Sequence, residues 1–304
     1  MRLSTDLKVR HATVAGQSHH YIDEGVGPAL VLIHGSLCDC RYWDAQIKAL
    51  RAHFRVIAPS LEHYCPAQWD GQGNGFTVAS HARGVIALLR HLGIERAHWV
   101  GHSRGGRVAL EAALSDVASL ASLSLADPGV VFADERDRPV TRERDDDRAG
   151  ERCAGLSSSR GAADSASSSI DQRDDFREVA ARHIAQGRVD EGLAVFVDTV
   201  TGPQTWQRMV PWFKAMAHDN ASTVLGQIRE ATVAVDPQAL HALTLPCLLI
   251  GGGLSPAPYP GILSRLHAEL PDSELHMIAG SSHGMNIGNP RAFNRCIEQF
   301  LLGE

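Results

Sequence analysis

The sequence predicts an α/β chain: a three-layer sandwich around a mostly parallel eight-stranded sheet, with a block of helices inserted between the sixth and seventh strands. Three observations carry that expectation. Short continuous apolar runs such as Ala29-Leu-Val-Leu-Ile33, expected of strands buried on both faces, alternate with helical stretches, the pattern of strand-helix-strand layering. The pattern Gly101-His-Ser103-Arg-Gly105 lies between one apolar run and a helix-like run. A late Gly280-Ser-Ser-His283 follows the last apolar run.

The bulk properties bound the answer before any motif is weighed. A chain of 304 residues can bury a large core as one domain, or as one domain carrying an inserted lobe. The boundaries fall at 1–131 and 236–304 for the core, with 132–235 as the insertion. A net charge of −6 provides no global basic face, so no nucleic-acid partner is expected. The first ten residues hold no apolar leader core, and no apolar run approaches 18 residues. A soluble cytoplasmic protein, monomer or homodimer, with no membrane partner is therefore expected. Six cysteines at 38, 40, 65, 153, 247 and 296 are too scattered for a disulfide framework. Cys38-Asp-Cys40 has no second Cys or His pair at ligand spacing, so no metal site is expected.

Taken in order, strands are expected at 9–14 and 18–23 around the turn Ala15-Gly-Gln17, then at 29–33, ending in His34-Gly35-Ser36-Leu37. A helix at 43–52 leads to a fourth strand at 54–58, and a helix at 77–92 leads to a fifth at 97–100. Between them, 58–75 forms a long aromatic loop that borders the substrate pocket or packs on the exterior. The apolar run 120–126 is the sixth strand and ends in Asp127-Pro128-Gly129.

The next stretch breaks the pattern. Residues 134–152 are dominated by Asp, Glu and Arg, and 153–170 by Ser, Ala and Gly. So little apolar surface cannot offset ordering entropy, and 132–175 is expected to be disordered or irregular. Its Arg without Lys and its abrupt boundaries also fit a compensated reading-frame shift, which resequencing tests. Helical patterning returns at 176–186, 189–200, 205–218 and 222–230. The core resumes with strands at 245–250 and 274–278 around a helix at 262–270, and a helix at 291–302 closes the chain.

His-Gly after the third strand, Gly-His-Ser-Arg-Gly-Gly after the fifth and the late Gly-Ser-Ser-His together resemble the α/β-hydrolase fold superfamily, over about 9–131 and 236–302. The resemblance implies that the helices of the insertion form a lid over the site. Phe196, Trp206, Met209, Trp212, Phe213 and Met216 then either line an acyl or aryl pocket or fix the lid to the core. The chain departs from many members after the fourth strand, where Ala58-Pro-Ser60 replaces the usual Asp-x-x-Gly-x-Gly-x-Ser.

The chemistry follows from residue types. A serine hydroxyl needs a base within hydrogen-bond reach and a third group to orient that base. Ser103, on a sharp strand-to-helix turn, is the expected nucleophile, and His283, on the loop after the last strand, is the base. His276 lies inside that strand and is read as structural. Most relatives place an acid after the seventh strand, but Gly251-Gly-Gly-Leu-Ser255-Pro contains none. Asp127, 24 residues after Ser103, resembles the acid of branches, including some haloalkane dehalogenases and lipases, that take it from the sixth strand. Asp272 is a lesser candidate. The oxyanion donors are expected to be the Arg104 N–H and an amide of the His34-Gly35 loop, either Ser36 or Leu37.

The expected activity is cofactor-free hydrolysis of a carboxylic ester with a small or medium acyl or aryl group. A serine nucleophile argues against the alkyl-enzyme route of epoxide and haloalkane hydrolysis. Lactone, thioester or carbon-carbon bond hydrolysis would use the same three residues. A hydrolase-fold ligand receptor with little turnover, or an enzyme weakened at 134–170, is the rival from another class.

Overall fold

The computed structural model describes residues 7–73, 75–135 and 171–303. Most of the irregular 132–175 stretch, with Cys153, lies outside the described residues, and so do the expectations attached to it.

Eight strands form one sheet in the order β1-β2-β4-β3-β5-β6-β7-β8. They are β1 (Arg10–Val14), β2 (Gln17–Glu24), β3 (Ala29–Ile33), β4 (Arg55–Pro59), β5 (Ala97–His102), β6 (Leu120–Ala126), β7 (Cys247–Gly252) and β8 (Ser273–Ile278). Only β2 breaks the parallel pattern, pairing antiparallel with β1 and with β4. The β1–β2 hairpin turns at Ala15-Gly16, both with positive φ, where the expected turn lies.

Alternation along each strand sorts the apolar side chains into two cores. Val31 and Ile33 of β3, with Leu123 and Leu125 of β6, face a core closed by α2 (Val78–His91), α3 (Arg104–Ser115) and α10 (Tyr259–Glu269). Leu30, Leu32, Leu248 and Ile250 face the other, which α1 (Asp44–Leu50) and α12 (Pro290–Leu302) cover through Trp43, Ile47, Phe293 and Ile297. Each buried side chain of this kind contributes about 1.5–3 kcal/mol, and a one-residue slip would expose a whole face. Helix α2 starts where Thr77 and Ser80 form a reciprocal capping box, satisfying amides that would otherwise lack partners.

Between β6 and β7 the described lid helices are α4 (Asp171–Ala185), α5 (Val189–Thr201), α6 (Thr205–Arg208), α7 (Pro211–Asp219) and α8 (Thr223–Gln227), followed by α9 (Pro237–His241) at the return to the core. Phe132 and Val235 form an isolated parallel bridge, and Val235 N–H donates to the Val131 carbonyl at 2.8 Å, so the insertion leaves and rejoins the core at one neck. The expected single helix at 205–218 is two helices, with extended backbone at Met209 and Val210. Pro211 is the reason: it sits at the first helical position, and the residue before a proline is kept out of the helical region.

The chain runs from β3 outward to β4 and returns to β5 beside β3. That reversal leaves a crevice at the carboxyl ends of β3 and β5, where open α/β sheets place their ligand sites. His34 follows β3, Ser103 follows β5, Asp127 follows β6, and β8 is followed by the His283 loop with the short α11 (Met285–Gly288).

Candidate active site

Ser103 sits at φ 55°, ψ −119° between β5 and α3, a conformation that costs a non-glycine residue energy and is held only where the surroundings over-determine it. The surroundings here are close. A Cβ on Gly101 would fall on the Gly105 carbonyl oxygen, and one on Gly105 would fall on the carbonyl oxygens of Ile33 and His34. Only glycine lets strand, turn and helix approach this closely. The turn is pinned from β6, because Ser103 N–H donates to the Ala126 carbonyl at 2.9 Å and Gly129 N–H donates to the Ser103 carbonyl at 3.2 Å.

Asp127 is fully buried and also holds a positive φ, 38°. Its N–H donates to the Ile250 carbonyl at 2.9 Å, fixing it at the carboxyl edge of the sheet. Two groups converge on its Oδ2: the Ser255 hydroxyl donates at 2.5 Å and His283 Nδ1 lies at 3.3 Å. The carboxylate accepts, so Nδ1 carries the proton and Nε2 keeps the lone pair. Both contacts fall on the same oxygen, the Ser255 one short and the His283 one long. Burial pushes the Asp127 carboxyl up and the Ser255 bond pulls it back down. Burial likewise lowers His283 below the usual histidine range, so the ring is neutral at neutral pH.

His283 is held from three sides. Tyr259 stacks on its ring with centroids 4.1 Å apart at 18°. His102 Nε2 lies 2.7 Å from the His283 carbonyl; a carbonyl only accepts, so Nε2 is the protonated nitrogen of His102. Its other nitrogen meets the Tyr42 hydroxyl at 3.2 Å, and that hydroxyl reaches Asn286 Oδ1 at 2.7 Å. Burial brings His102 down to about 3, so it too is neutral. The Ser282 hydroxyl donates to the Thr201 carbonyl at 3.0 Å, tying the histidine loop to α5 of the lid.

Ser103 and His283 open onto one cavity of about 320 Å³, which Ser36 and Leu37 also line. Leu37 holds a positive φ of 61°, so three of the non-glycine residues with positive φ, Leu37, Ser103 and Asp127, cluster here. Phe196, Met209 and Phe213 line the cavity from the lid. Trp206, Trp212 and Met216 do not; Trp206 and Met216 pack into the core beneath the lid, which is the fixing role rather than the pocket role. Among the described residues, the aromatic loop contributes no side chain to the cavity. Trp69 and Phe76 instead stack on each other, 5.2 Å apart and 3° from parallel, and the Arg104 guanidinium lies 4.7 Å over Phe76. The Arg104 side chain thus points away from the cavity while its backbone follows Ser103.

Ser255 stands where an acid was expected and bonds Asp127 itself. Asp272 lies at the opposite end of the sheet, its carbonyl accepting from Cys247 N–H at the start of β7. His276 lies in β8 and meets Glu274 at 3.3 Å, clear of the cavity. Sequence reasoning missed His102, Tyr42 and Tyr259. His102 stands beside Ser103 in the motif, but nothing in its position reveals a carbonyl partner 181 residues away. Among the described residues no group of three His, Cys, Asp or Glu side chains could hold a metal ion, and no helix is long and apolar enough to cross a membrane.

Comparison with known proteins gives a family and a fold. The model of the Alpha/beta hydrolase family matches residues 30–295. A protein of Mycobacterium tuberculosis is 37% identical over 122 residues, covering 40% of this chain and 35% of its own. A soluble epoxide hydrolase of Corynebacterium sp. is 32% identical over 133 residues, covering 43% of this chain and 46% of its own. The chain therefore spans about a third to a half of the length of these curated relatives. Among solved structures, the enol-lactonase of Burkholderia xenovorans superposes with a TM-score of 0.72 at 18% identity, over 96% of this chain and 100% of its own, a likeness of fold.

Proposed function

The chain belongs to the alpha/beta hydrolase family, and from that membership we propose that it is a serine esterase, cleaving a carboxylic ester of a small or medium acyl or aryl group through an acyl-enzyme on Ser103. The observation that supports this most is the convergence of Ser103 and His283 on one cavity, with Asp127 behind the far nitrogen of His283. The serine itself separates this reading from an alkyl-enzyme route, which needs a carboxylate nucleophile.

In the proposed reaction the Ser103 hydroxyl adds to the ester carbonyl carbon as His283 Nε2 takes its proton. Asp127 holds the Nδ1–H tautomer and stabilises the imidazolium that forms. The carbonyl oxygen, now anionic, is received by the Arg104 N–H and by an amide of the Ser36-Leu37 pair. Collapse of the tetrahedral adduct breaks the bond to the leaving alkoxide, which takes the proton back from His283. Water then gives a proton to His283, attacks the acyl carbon, and releases the acid and Ser103.

The apolar lid side chains Phe196, Val197, Val200, Met209 and Phe213 suit an uncharged acyl or aryl group. Hydrolysis of p-nitrophenyl acetate and butyrate by the wild type beside Ser103→Ala and Asp127→Asn tests the proposal. Both variants are expected to lose about a thousandfold or more. Wild-type inactivity, or full activity in Asp127→Asn, would overturn it.

A further inference from the structure

The two halves of the oxyanion site come from residues 68 positions apart in the chain, yet their side chains bond one short piece of the lid. The Ser36 hydroxyl donates to Gln227 Oε1 at 2.9 Å. Arg104 Nη1 donates to Glu230 Oε2 at 2.6 Å, in a pair whose side chains are only 10% and 11% exposed. Residues 227–230 are themselves stitched to the core: Glu230 Oε1 accepts from Val78 N–H at the start of α2, and Arg229 donates to the Gly71 carbonyl. Resting on the ester-hydrolase reading above, we propose that Gln227 and Glu230 are positioning residues, which set the Ser36-Leu37 and Arg104 amides at the geometry an oxyanion needs when this lid segment is seated.

Three features distinguish this from ordinary lid packing. Leu37 holds its positive φ directly after the anchored Ser36, so a costly backbone conformation and a lid contact fall on adjacent residues of the same loop. Arg104 opens α3, and its guanidinium is fixed by Glu230, by Phe76 beneath it and by His81 Nδ1 at 3.5 Å. That fixation adds a side-chain tether from the lid segment to the first turn of α3, where the amide following Ser103 lies. Finally, Gln227 Nε2 and Arg104 Nε are both buried without a hydrogen-bond partner among the described residues. Unpaired buried donors work against stability, the pattern of a cluster kept for geometry.

The test uses p-nitrophenyl butyrate kinetics and inhibition by an alkylboronic acid, whose tetrahedral adduct on the serine places an oxygen where the oxyanion would lie. Gln227→Leu and Glu230→Gln are each expected to lower kcat about tenfold or more with KM within about twofold, since displaced donors lose part of the 10²–10³-fold that each supplies. Boronic acid affinity should fall in parallel. Gln227→Glu keeps an acceptor for Ser36 and should restore most of kcat. Ser36→Ala removes the same bond from the other side, so combining it with Gln227→Leu should add little further loss; this pair decides the matter if Glu230→Gln does not fold. Unchanged kcat and boronate affinity in Gln227→Leu and Ser36→Ala, beside an active wild type, would overturn this proposal alone. A rise in KM without loss of kcat would do the same. An inactive wild type would overturn the ester-hydrolase reading and this proposal with it.

Discussion

Acidification should unfold this protein steeply, and four histidines set the slope. His34, His81, His102 and His283 are each no more than 4% exposed. Burial lowers all four, His34 to about 4 and His102 to about 3, from an ordinary value of 6.5. Between pH 6 and pH 5 the unfolded chain therefore carries most of a proton on each of these rings that the folded chain refuses, and stability falls as pH falls. Asp127 acts in the opposite sense. Burial raises it from 3.8 to about 6, so in the same window the folded chain holds one proton that the unfolded chain has released. The lowered histidines outnumber the one raised carboxyl, so the folded chain binds fewer protons than the unfolded chain here, and each proton of difference removes about 1.4 kcal/mol per pH unit, against a total stability of about 5–15 kcal/mol for a domain. Urea unfolding at pH 7, 6 and 5, followed by tryptophan fluorescence and circular dichroism, reads this directly. The midpoint should drop sharply at each step, and His81→Gln, which lies outside the cavity, should shed about one proton of slope. Equal midpoints at pH 7 and pH 5 would refute the reasoning.

Other outcomes follow from single contacts. Burial keeps His283, the proposed base, neutral well below pH 6.5, so the acid limb of kcat/KM should follow protonation of Asp127, which burial raises to about 6; an acid limb centred above 6.5 would contradict the burial argument. Ser255→Ala removes the hydrogen bond that holds the Asp127 carboxyl down, so activity should stay within about tenfold at pH 8 and fall further than the wild type at pH 6; an unchanged pH profile would count against that bond. Gly105→Ala drives a methyl group into the backbone carbonyls of Ile33 and His34 and should abolish soluble folded protein; a folded variant melting within a few degrees of the wild type would show that the strand-to-helix turn at Ser103 has slack.

The fold was legible because its signals are local. Short apolar runs mark β3, β5, β6 and β7, and Gly101 and Gly105 mark a turn that no larger residue can make. The place of Asp127 at the end of β6 was legible from the apolar run before it. Pro211 and the Asp236-Pro237 pair, whose Asp236 side chain caps α9, are local signals too, and they explain where helix boundaries differ from expectation. What the sequence does not reveal is partnership across long separations. The bonds from Ser36 to Gln227, Arg104 to Glu230 and His102 to His283 join residues 191, 126 and 181 positions apart. Each depends on how the lid or the last loop settles on the sheet, a packing result that no local pattern encodes. The inward turn of Phe196, Met209 and Phe213, against the structural burial of Trp206 and Met216, is decided in the same way, by helix orientation rather than by residue type.

The central claim is that Ser103 is a nucleophile activated by His283 and Asp127, and labelling with a fluorophosphonate tests it most directly. Attack by Ser103 displaces fluoride and leaves a stable phosphonyl ester that peptide mass spectrometry locates. The account predicts a single adduct on Ser103 at neutral pH, with labelling slowed about a thousandfold in Asp127→Asn. No adduct on the folded wild type, an adduct on another residue, or equal labelling rates in wild type and Asp127→Asn would contradict it.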